Sequence, residues 1–476
     1  MSNKMNSFRY GRQSSSVKNL RSARRLSLAL ALVGLLGVPA HEGRAGLWST
    51  AYYAAWMQDY MPASQVDFTT LTHVIHFAVV PNVDGTLDSD YSTVTLANST
   101  VVVGRAHATG TKALISVGGA ETAGGFRGAT SAPHLAAFIT NIIAFATSRG
   151  YDGVDLDWEP LEASDAASYS NLVHGLRTAL NAINPRPLLT AATATEPALF
   201  AALQAQFDQI NLMTYDLSGP WPGWVTWFNA PIYDGGYRFR STGELVPSTD
   251  GMVNDFIDQG VSASKLGIGI AFYGYVWSGG NGTATGGSAL PRQSWSSNNP
   301  PVCLYTPYHT VMANYYQPQL YVWDSDAQAA YLSIDNSGSA NDKFISYDDP
   351  HACTAKVAYA AAKGLGGVMI YELTDGYCAD QPAGSQDPLL QAVKQALRKT
   401  FRITGIKAVG NDIILSFSSA IGQTYSAEWI SNLTATEWHP ITNLIAIGLS
   451  TPAVDAGAAG QPGRFYRVRE VRSGSP

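Results

Sequence analysis

The densest chemistry in the chain lies in one stretch, Asp152-Gly153-Val154-Asp155-Leu156-Asp157-Trp158-Glu159. Side chains along an extended strand alternate between two faces. Asp155, Asp157 and Glu159 therefore share one face, and Val154, Leu156 and Trp158 share the other. A strand this apolar is expected to be buried, and three carboxyls on one buried face cannot all ionise cheaply. They should keep at least one proton between them and titrate as a coupled set. Cleaving a glycosidic bond needs a carboxylic acid of raised pKa among further carboxyls, and Glu159, at the strand end, is the candidate acid. Oxygen ligands alone could instead hold Mg2+ or Ca2+. The stacking of the acids on one face of an apolar strand favours an acid–base cluster, so neither a metal nor an organic cofactor is expected.

Positioning these acids requires a scaffold, and the chain alternates strand-like and helix-like segments. Apolar strand runs fall at about 50–56, 72–80, 112–118, 151–159, 188–194, 207–215, 266–273 and 366–372. Helical periodicity falls at about 133–148, 165–183, 249–259, 353–363 and 386–399. Eight β/α units predict an α/β fold, a (β/α)8 TIM barrel over residues 46–400. An open doubly wound sheet would show a Gly-rich phosphate turn after a strand, and none has the right spacing. In a barrel the acid face of 151–159 points to the axis, and Glu159 sits at the end where barrel active sites lie.

Between the seventh and eighth strands an insertion, roughly 276–346, is rich in Gly, Ser, Pro, Tyr and Trp. A connection of that length reads as a lid, a small subdomain or a binding wall, or as inert decoration. Residues 401–476 switch to alternating apolar and polar runs and predict a small C-terminal all-β, sandwich-like accessory module, either glycan-binding or passive.

The first 45 residues hold eight Lys and Arg and one acid, Glu42, ahead of the apolar run LSLALALVGLLGVPA at 26–40. A basic segment, an apolar segment too short to span a membrane and small residues near Ala40 and Ala45 predict a signal peptide over 1–45, hence secretion to the extracellular space, periplasm or cell surface. Of 30 basic and 36 acidic residues, the remainder keeps 22 and 35, a formal charge of about −13. Such a surface excludes nucleic acid as a partner and suits a neutral ligand. No stable membrane insertion is expected after processing, and the chain is expected to be a monomer. Three cysteines, Cys303, Cys353 and Cys378, allow one bridge and one free thiol, with Cys353 bonded to either of the others.

Aromatics cluster where strands end. Tyr52, Tyr53 and Trp56 close the first strand, Trp221, Trp224, Trp227 and Phe228 follow the sixth, and Tyr273, Tyr275 and Trp277 follow the seventh. Flat rings there can stack on pyranose faces or pack under loops.

The segment DGVDLDWE resembles the DxxDxDxE signature of glycoside hydrolase family 18, the chitinase family, with all four acids present. Ser116-Val117-Gly118-Gly119 resembles that family's SxGG motif, Met213-Thr214-Tyr215-Asp216 its MxYD segment, and Phe344-Ile345-Ser346-Tyr347-Asp348 the stretch that closes its insertion. The resemblance covers roughly residues 48–398. It implies a retaining, substrate-assisted hydrolysis of chitin or N-acetylglucosamine-containing oligosaccharides. Catalytic roles fall on Glu159 as acid and base, Asp157, Asp155 and Tyr215. Substrate contacts fall on Asp216, Met213, Tyr371, Trp56, Tyr52, Trp221 and Gly119, and structural support on Asp152 and Ser116. One departure stands out: Tyr371 occupies the eighth-strand position where the family usually has a Trp under the reacting sugar. An endo-β-N-acetylglucosaminidase would use the same acids, whereas lectin-like relatives usually lack the Glu that is present here.

Overall fold

The computed structural model describes residues 47–280, 287–296, 298–336, 341–399, 403–419, 424–433, 437–446, 450–461 and 463–471, so the expected leader at 1–45 lies outside the described residues. Eight parallel strands close on themselves: β1 (Trp48–Ala54), β2 (His73–Pro81), β4 (Lys112–Gly119), β5 (Gly153–Trp158), β6 (Leu188–Thr193), β7 (Gln209–Leu212), β8 (Leu266–Ala271) and β14 (Gly367–Tyr371). Closure comes from β1, which pairs with β2 on one side and with β14 on the other. A short β3 (Leu87–Asp88) hangs on β2. The fold is therefore the TIM-type barrel that the eight-fold alternation predicts.

Parallel strands covered on both sides read as continuous buried runs. Val154, Leu156 and Trp158 of β5 point outward, where Trp158 stacks on Phe126 at 4.5 Å between ring centres. The outer layer is formed by α1 (Leu96–Ala108), α2 (Ala123–Ala129), α3 (Leu135–Ser148), α4 (Ala166–Asn181), α5 (Pro197–Leu203), α6 (Thr249–Asp258), α7 (Tyr308–Asn314), α8 (Pro350–Lys363) and α9 (Pro388–Lys399). Periodicity misses α1, α2, α5 and α7. Three of them have only seven residues, under two full turns of pattern. The fourth, α1, carries Val101-Val102-Val103-Gly104, poor helix formers, and is started by the Thr95 side chain accepting from the Asn98 N–H at 3.1 Å.

The run 266–273 breaks at Phe272: β8 stays in the barrel, and β9 (Tyr273–Gly279) opens a second, antiparallel sheet. That sheet has the order β10-β9-β13-β12-β11, with β10 (Pro301–Pro307), β11 (Tyr321–Asp324), β12 (Ala329–Ile334) and β13 (Lys343–Tyr347). It is anchored by Asp348, which accepts from the Ala271 N–H at 3.1 Å and from the wholly buried ammonium of Lys356 on α8.

Beyond the barrel lie two three-stranded antiparallel sheets. One has β15 (Ile403–Val409), β16 (Asp412–Ser418) and β19 (Ser450–Asp455); the other has β17 (Thr424–Ile430), β18 (His439–Ile445) and β20 (Phe465–Glu470). Leu415, Phe417, Tyr425, Ala427 and Ala453 form their shared core. The module's tryptophans already carry cations on their faces, Arg464 over Trp429 at 3.8 Å and Arg467 over Trp438 at 4.2 Å.

The expected disulfide is corrected by the structure: Cys303, Cys353 and Cys378 are all free thiols. Cys353 is buried in α8 within the apolar layer between helix and barrel, where a thiol behaves as a small hydrophobe. Cys303 is on β10 of the insertion and Cys378 follows β14. Among the described residues no helix is long and apolar enough to cross a membrane.

Substituting Lys356→Met should strand the Asp348 carboxyl in the core and cost about 3–5 kcal/mol, as breaking a buried pair does. Chemical denaturation of the variant against the parent at neutral pH checks this; an unchanged midpoint would mean that Asp348 does not need the charge.

Candidate active site

Asp155 is wholly buried and sits where three other strands of the barrel supply hydroxyls. Tyr52 of β1 donates to Oδ2 at 2.8 Å, Ser116 of β4 donates to the same oxygen at 3.0 Å, and Thr190 of β6 donates to Oδ1 at 2.6 Å. Burial pushes its pKa up, and the three hydroxyls pull it part of the way back. Two residues on, Asp157 is raised well above the ordinary carboxylate range, first by burial, then by the charges of Glu159 and Asp155, and by its hydrogen bond to Glu159. Among the described residues its Oδ1 is buried with no hydrogen-bond partner. Glu159, one residue past the strand end, is pushed up to about 7 by burial, with the Asp157 hydrogen bond opposing and the Asp216 charge adding. The pair is thus an acid store at neutral pH.

β5 reaches this position because β4 lets it come close. A Cβ on Gly118 would lie 2.0 Å from the Asp157 carbonyl oxygen, and its φ of +120° is one that glycine alone adopts readily. Next to it, a Cβ on Gly119 would press on Phe77 at 3.0 Å.

β7 delivers the second group. Tyr215 is buried, and among the described residues its hydroxyl finds only the Met369 Sδ at 3.7 Å, a weak acceptor. Asp216 turns into the left-handed region, φ +57°, and opens to the cleft. Its Oδ1 accepts from the Tyr273 hydroxyl at 2.5 Å and from the Tyr275 hydroxyl at 2.7 Å. Although its outer edge meets solvent, the enclosing walls raise its pKa while the two phenols lower it.

Tyr371 lies among four rings, with Tyr52 and Tyr215 at 5.6 Å, Phe77 at 5.8 Å and Tyr273 at 6.3 Å. Behind it is a second carboxyl pair. Glu372 accepts the N–H groups of Thr374 and Asp375 at 3.0 Å each. Burial and the Glu372 charge push Asp375 up to about 8 against a hydrogen bond from Tyr305. The Tyr305 ring stacks on Tyr273 at 4.3 Å.

The structure thus brings Tyr52, Ser116, Gly119, Asp155, Asp157, Glu159, Tyr215, Asp216 and Tyr371 to one mouth. Met213 is half-buried beside the aromatic cluster there. Trp56, 47% exposed, leans on Phe77 at 5.7 Å, so it joins the mouth from its rim. Trp221 stands on the long loop after β7, edge-on to Trp224 at 4.4 Å. Asp152 is not at the mouth. It lies at the opposite end of the acidic strand, accepting from the Ala113 N–H at 2.8 Å, His107 at 2.8 Å and Lys112 at 2.9 Å. Those donors, against the pull of burial, lower its pKa. No group of three or more His, Cys, Asp or Glu among the described residues could hold a metal ion.

The roles of four contributors escape the sequence reading. Thr190 could have been found, since the alternation of LLTAAT turns it inward with Ala192. Tyr273 and Tyr275 were noted only as stacking rings, whereas both are donors to Asp216. Asn229, whose Oδ1 accepts the Asp216 N–H at 2.9 Å, carries no local signal.

The sequence model of "Glycosyl hydrolases family 18" matches residues 49–376. The chain is 31% identical over 353 residues to chitinase A1 of Niallia circulans, covering 65% of this chain and 48% of that protein. It is 32% identical over 284 residues to a probable endochitinase of Caenorhabditis elegans, covering 55% and 43%. It therefore spans about half the length of these curated relatives. The barrel superposes on the Ostrinia furnacalis Group IV chitinase solved in complex with allosamidin with a TM-score of 0.61, 21% identity, and coverage of 74% of this chain and 99% of that one. At that identity the likeness speaks for the fold.

The raised Glu159 has a consequence for stability. A folded pKa near 7 against an ordinary 4.5 means that the native state binds the proton more tightly than the unfolded chain. That contribution is complete below about pH 4.5 and is lost as pH rises through about 7. Glu159→Gln removes the titration, so at pH 8 the variant should unfold with about 3 kcal/mol more stability than the parent, with the gap closing at pH 4. Denaturation curves at the two pH values decide, and a gap that does not narrow on acidification would contradict the assignment.

Proposed function

We propose that this chain, which belongs to glycosyl hydrolases family 18, is a secreted chitinase that cleaves β-1,4 linkages between N-acetylglucosamine units with retention of configuration. The observation that carries the reading is Asp157, which is coupled to Glu159 and whose Oδ1 is buried with no hydrogen-bond partner among the described residues. Leaving a buried acceptor unmet costs about 1–3 kcal/mol. The N–H of a sugar 2-acetamido group would satisfy it.

The proposed steps follow. Glu159, protonated below about pH 7, gives its proton to the glycosidic oxygen as the bond from C1 breaks. The carbonyl oxygen of the substrate's own acetamide attacks C1 and closes an oxazolinium ion. Asp157 takes the acetamide N–H and offsets the positive charge, and Asp155 behind it shares a proton. Tyr215, whose hydroxyl has only a sulfur for company among the described residues, donates to the acetamide oxygen, and Asp216 hydrogen-bonds the sugar. Water then attacks C1 from the side that the leaving group vacated, Glu159 takes its proton, the ring opens and the acetamide is restored. Because the nucleophile belongs to the substrate, the rate gains from proximity, and cellulose or starch cannot react. Asp152, at the far end of the strand, serves the scaffold.

The names of the relatives, chitinase A1 and probable endochitinase, support the substrate class. The smaller ring of Tyr371 under the reacting sugar leaves a second reading, an endo-β-N-acetylglucosaminidase on N-glycan cores or peptidoglycan-like polymers.

Soluble N-acetylglucosamine tetramer and hexamer, assayed beside an N-glycan panel, separate the two. Dimers of β configuration are the expected product, with Glu159→Gln inactive and Asp157→Ala slower by roughly 100- to 1,000-fold. Intact oligomers with a cleaved glycan core would transfer the assignment to the second reading. Binding of both without cleavage would make the protein a lectin.

A further inference from the structure

Asp216 has an exposed position, a left-handed backbone and no cation among its hydrogen-bond partners, yet it is held firmly, and the grip comes from the insertion. Its carboxylate takes the Tyr273 and Tyr275 hydroxyls of β9. Its backbone N–H donates to the Asn229 Oδ1 at 2.9 Å, and the Asn229 N–H donates to the Ser346 Oγ of β13 at 2.9 Å. The two routes start from one place, because Ser346 and Tyr275 are register partners across β13 and β9. Asn229 is buried with its Nδ2 unpartnered, so its amide leaves its own donor unmet while keeping Oδ1 on Asp216. A left-handed non-glycine residue persists only where its surroundings over-determine it, and here they do.

We propose that Tyr275 and Ser346, the latter through Asn229, are positioning residues: the insertion sheet fixes Asp216 against Glu159 and so helps set the pH range over which Glu159 can act as an acid. This rests on the hydrolase reading above. The groups facing Asp216 are Tyr273 and Tyr275 of β9, Cys303 of β10, Tyr215 and Glu159. Those facing Glu159 are Asp157 and Asp216, with the Tyr215 and Tyr371 hydroxyls in reach. The Asp216 charge favours the protonated form of Glu159. If Asp216 swings away, or loses a hydroxyl that stabilises its ionised form, that support weakens and the Glu159 proton leaves at lower pH.

The experiment compares Tyr275→Phe, Ser346→Ala and Ser346→Thr with the parent in pH profiles of kcat/KM on N-acetylglucosamine tetramer. The first two should move the basic limb down by roughly 0.5–1 pH unit and lower kcat by about tenfold with a smaller change in KM. Ser346→Thr, which keeps the hydroxyl, should restore the parent profile. A limb that stays in place in both variants overturns the proposal, however much the rate falls, and so does Ser346→Thr behaving like Ser346→Ala. Carbon-13 NMR titration of the Glu159 carboxyl in the unliganded protein reads the same shift without turnover. A parent that cleaves no tetramer while Glu159 still shifts in Tyr275→Phe would sink the substrate reading and leave the positioning role standing.

Discussion

Taking three carboxyls of one strand face out of water without giving them a cation is the constraint on which the rest of the structure turns. A unit charge close by in a poorly polarisable interior is worth several kcal/mol and would strip the proton from Glu159. Hydroxyls are supplied instead: Tyr52, Ser116 and Thr190 of the barrel on Asp155, Tyr273 and Tyr275 of the insertion sheet on Asp216. Hydroxyls satisfy the oxygens and leave the pKa high. The same strand shows the opposite treatment at its start, where Lys112 and His107 contact Asp152 and its pKa falls. Two aspartates three residues apart thus have opposite electrostatic fates, decided by how deeply each is buried and by whether the neighbours donate with or without a charge.

The aromatic mouth belongs to the same economy. Tyr371, Tyr52, Phe77, Tyr215 and Tyr273 pack ring against ring around the acids. They lower the local dielectric, and the Tyr52 and Tyr273 hydroxyls donate to the acids. Rings of this kind are rigid, with few rotamers to lose, so they define a cavity for a flat ligand before it arrives.

What the sequence made legible follows from how local the signal was. The alternation in Asp152–Glu159 needs only eight consecutive residues, and the strand places its acids as that alternation requires. Eight apolar runs were enough for the barrel, because parallel strands buried on both faces announce themselves as unbroken apolar stretches. Non-local features were silent. Asn229 and Ser346 are 117 positions apart, and nothing in either neighbourhood says that they meet. The short helices lacked two full turns of pattern, and α1 was hidden by valines that suit a strand. Three cysteines in a chain read as exported invited a bridge that their placement on separate elements does not make.

The order of the insertion sheet, β10-β9-β13-β12-β11, separates two tasks that evolution can adjust independently. The chain leaves the barrel along β9 and returns along β13, and these two strands are direct neighbours. They are also the strands that bear Tyr273, Tyr275 and Ser346. On the side away from β10, whose Tyr305 stacks on Tyr273, the strands β12 and β11 lie beyond β13 and can change without touching Asp216. The outer strands of such a scaffold can therefore drift while the pair that holds Asp216 stays fixed.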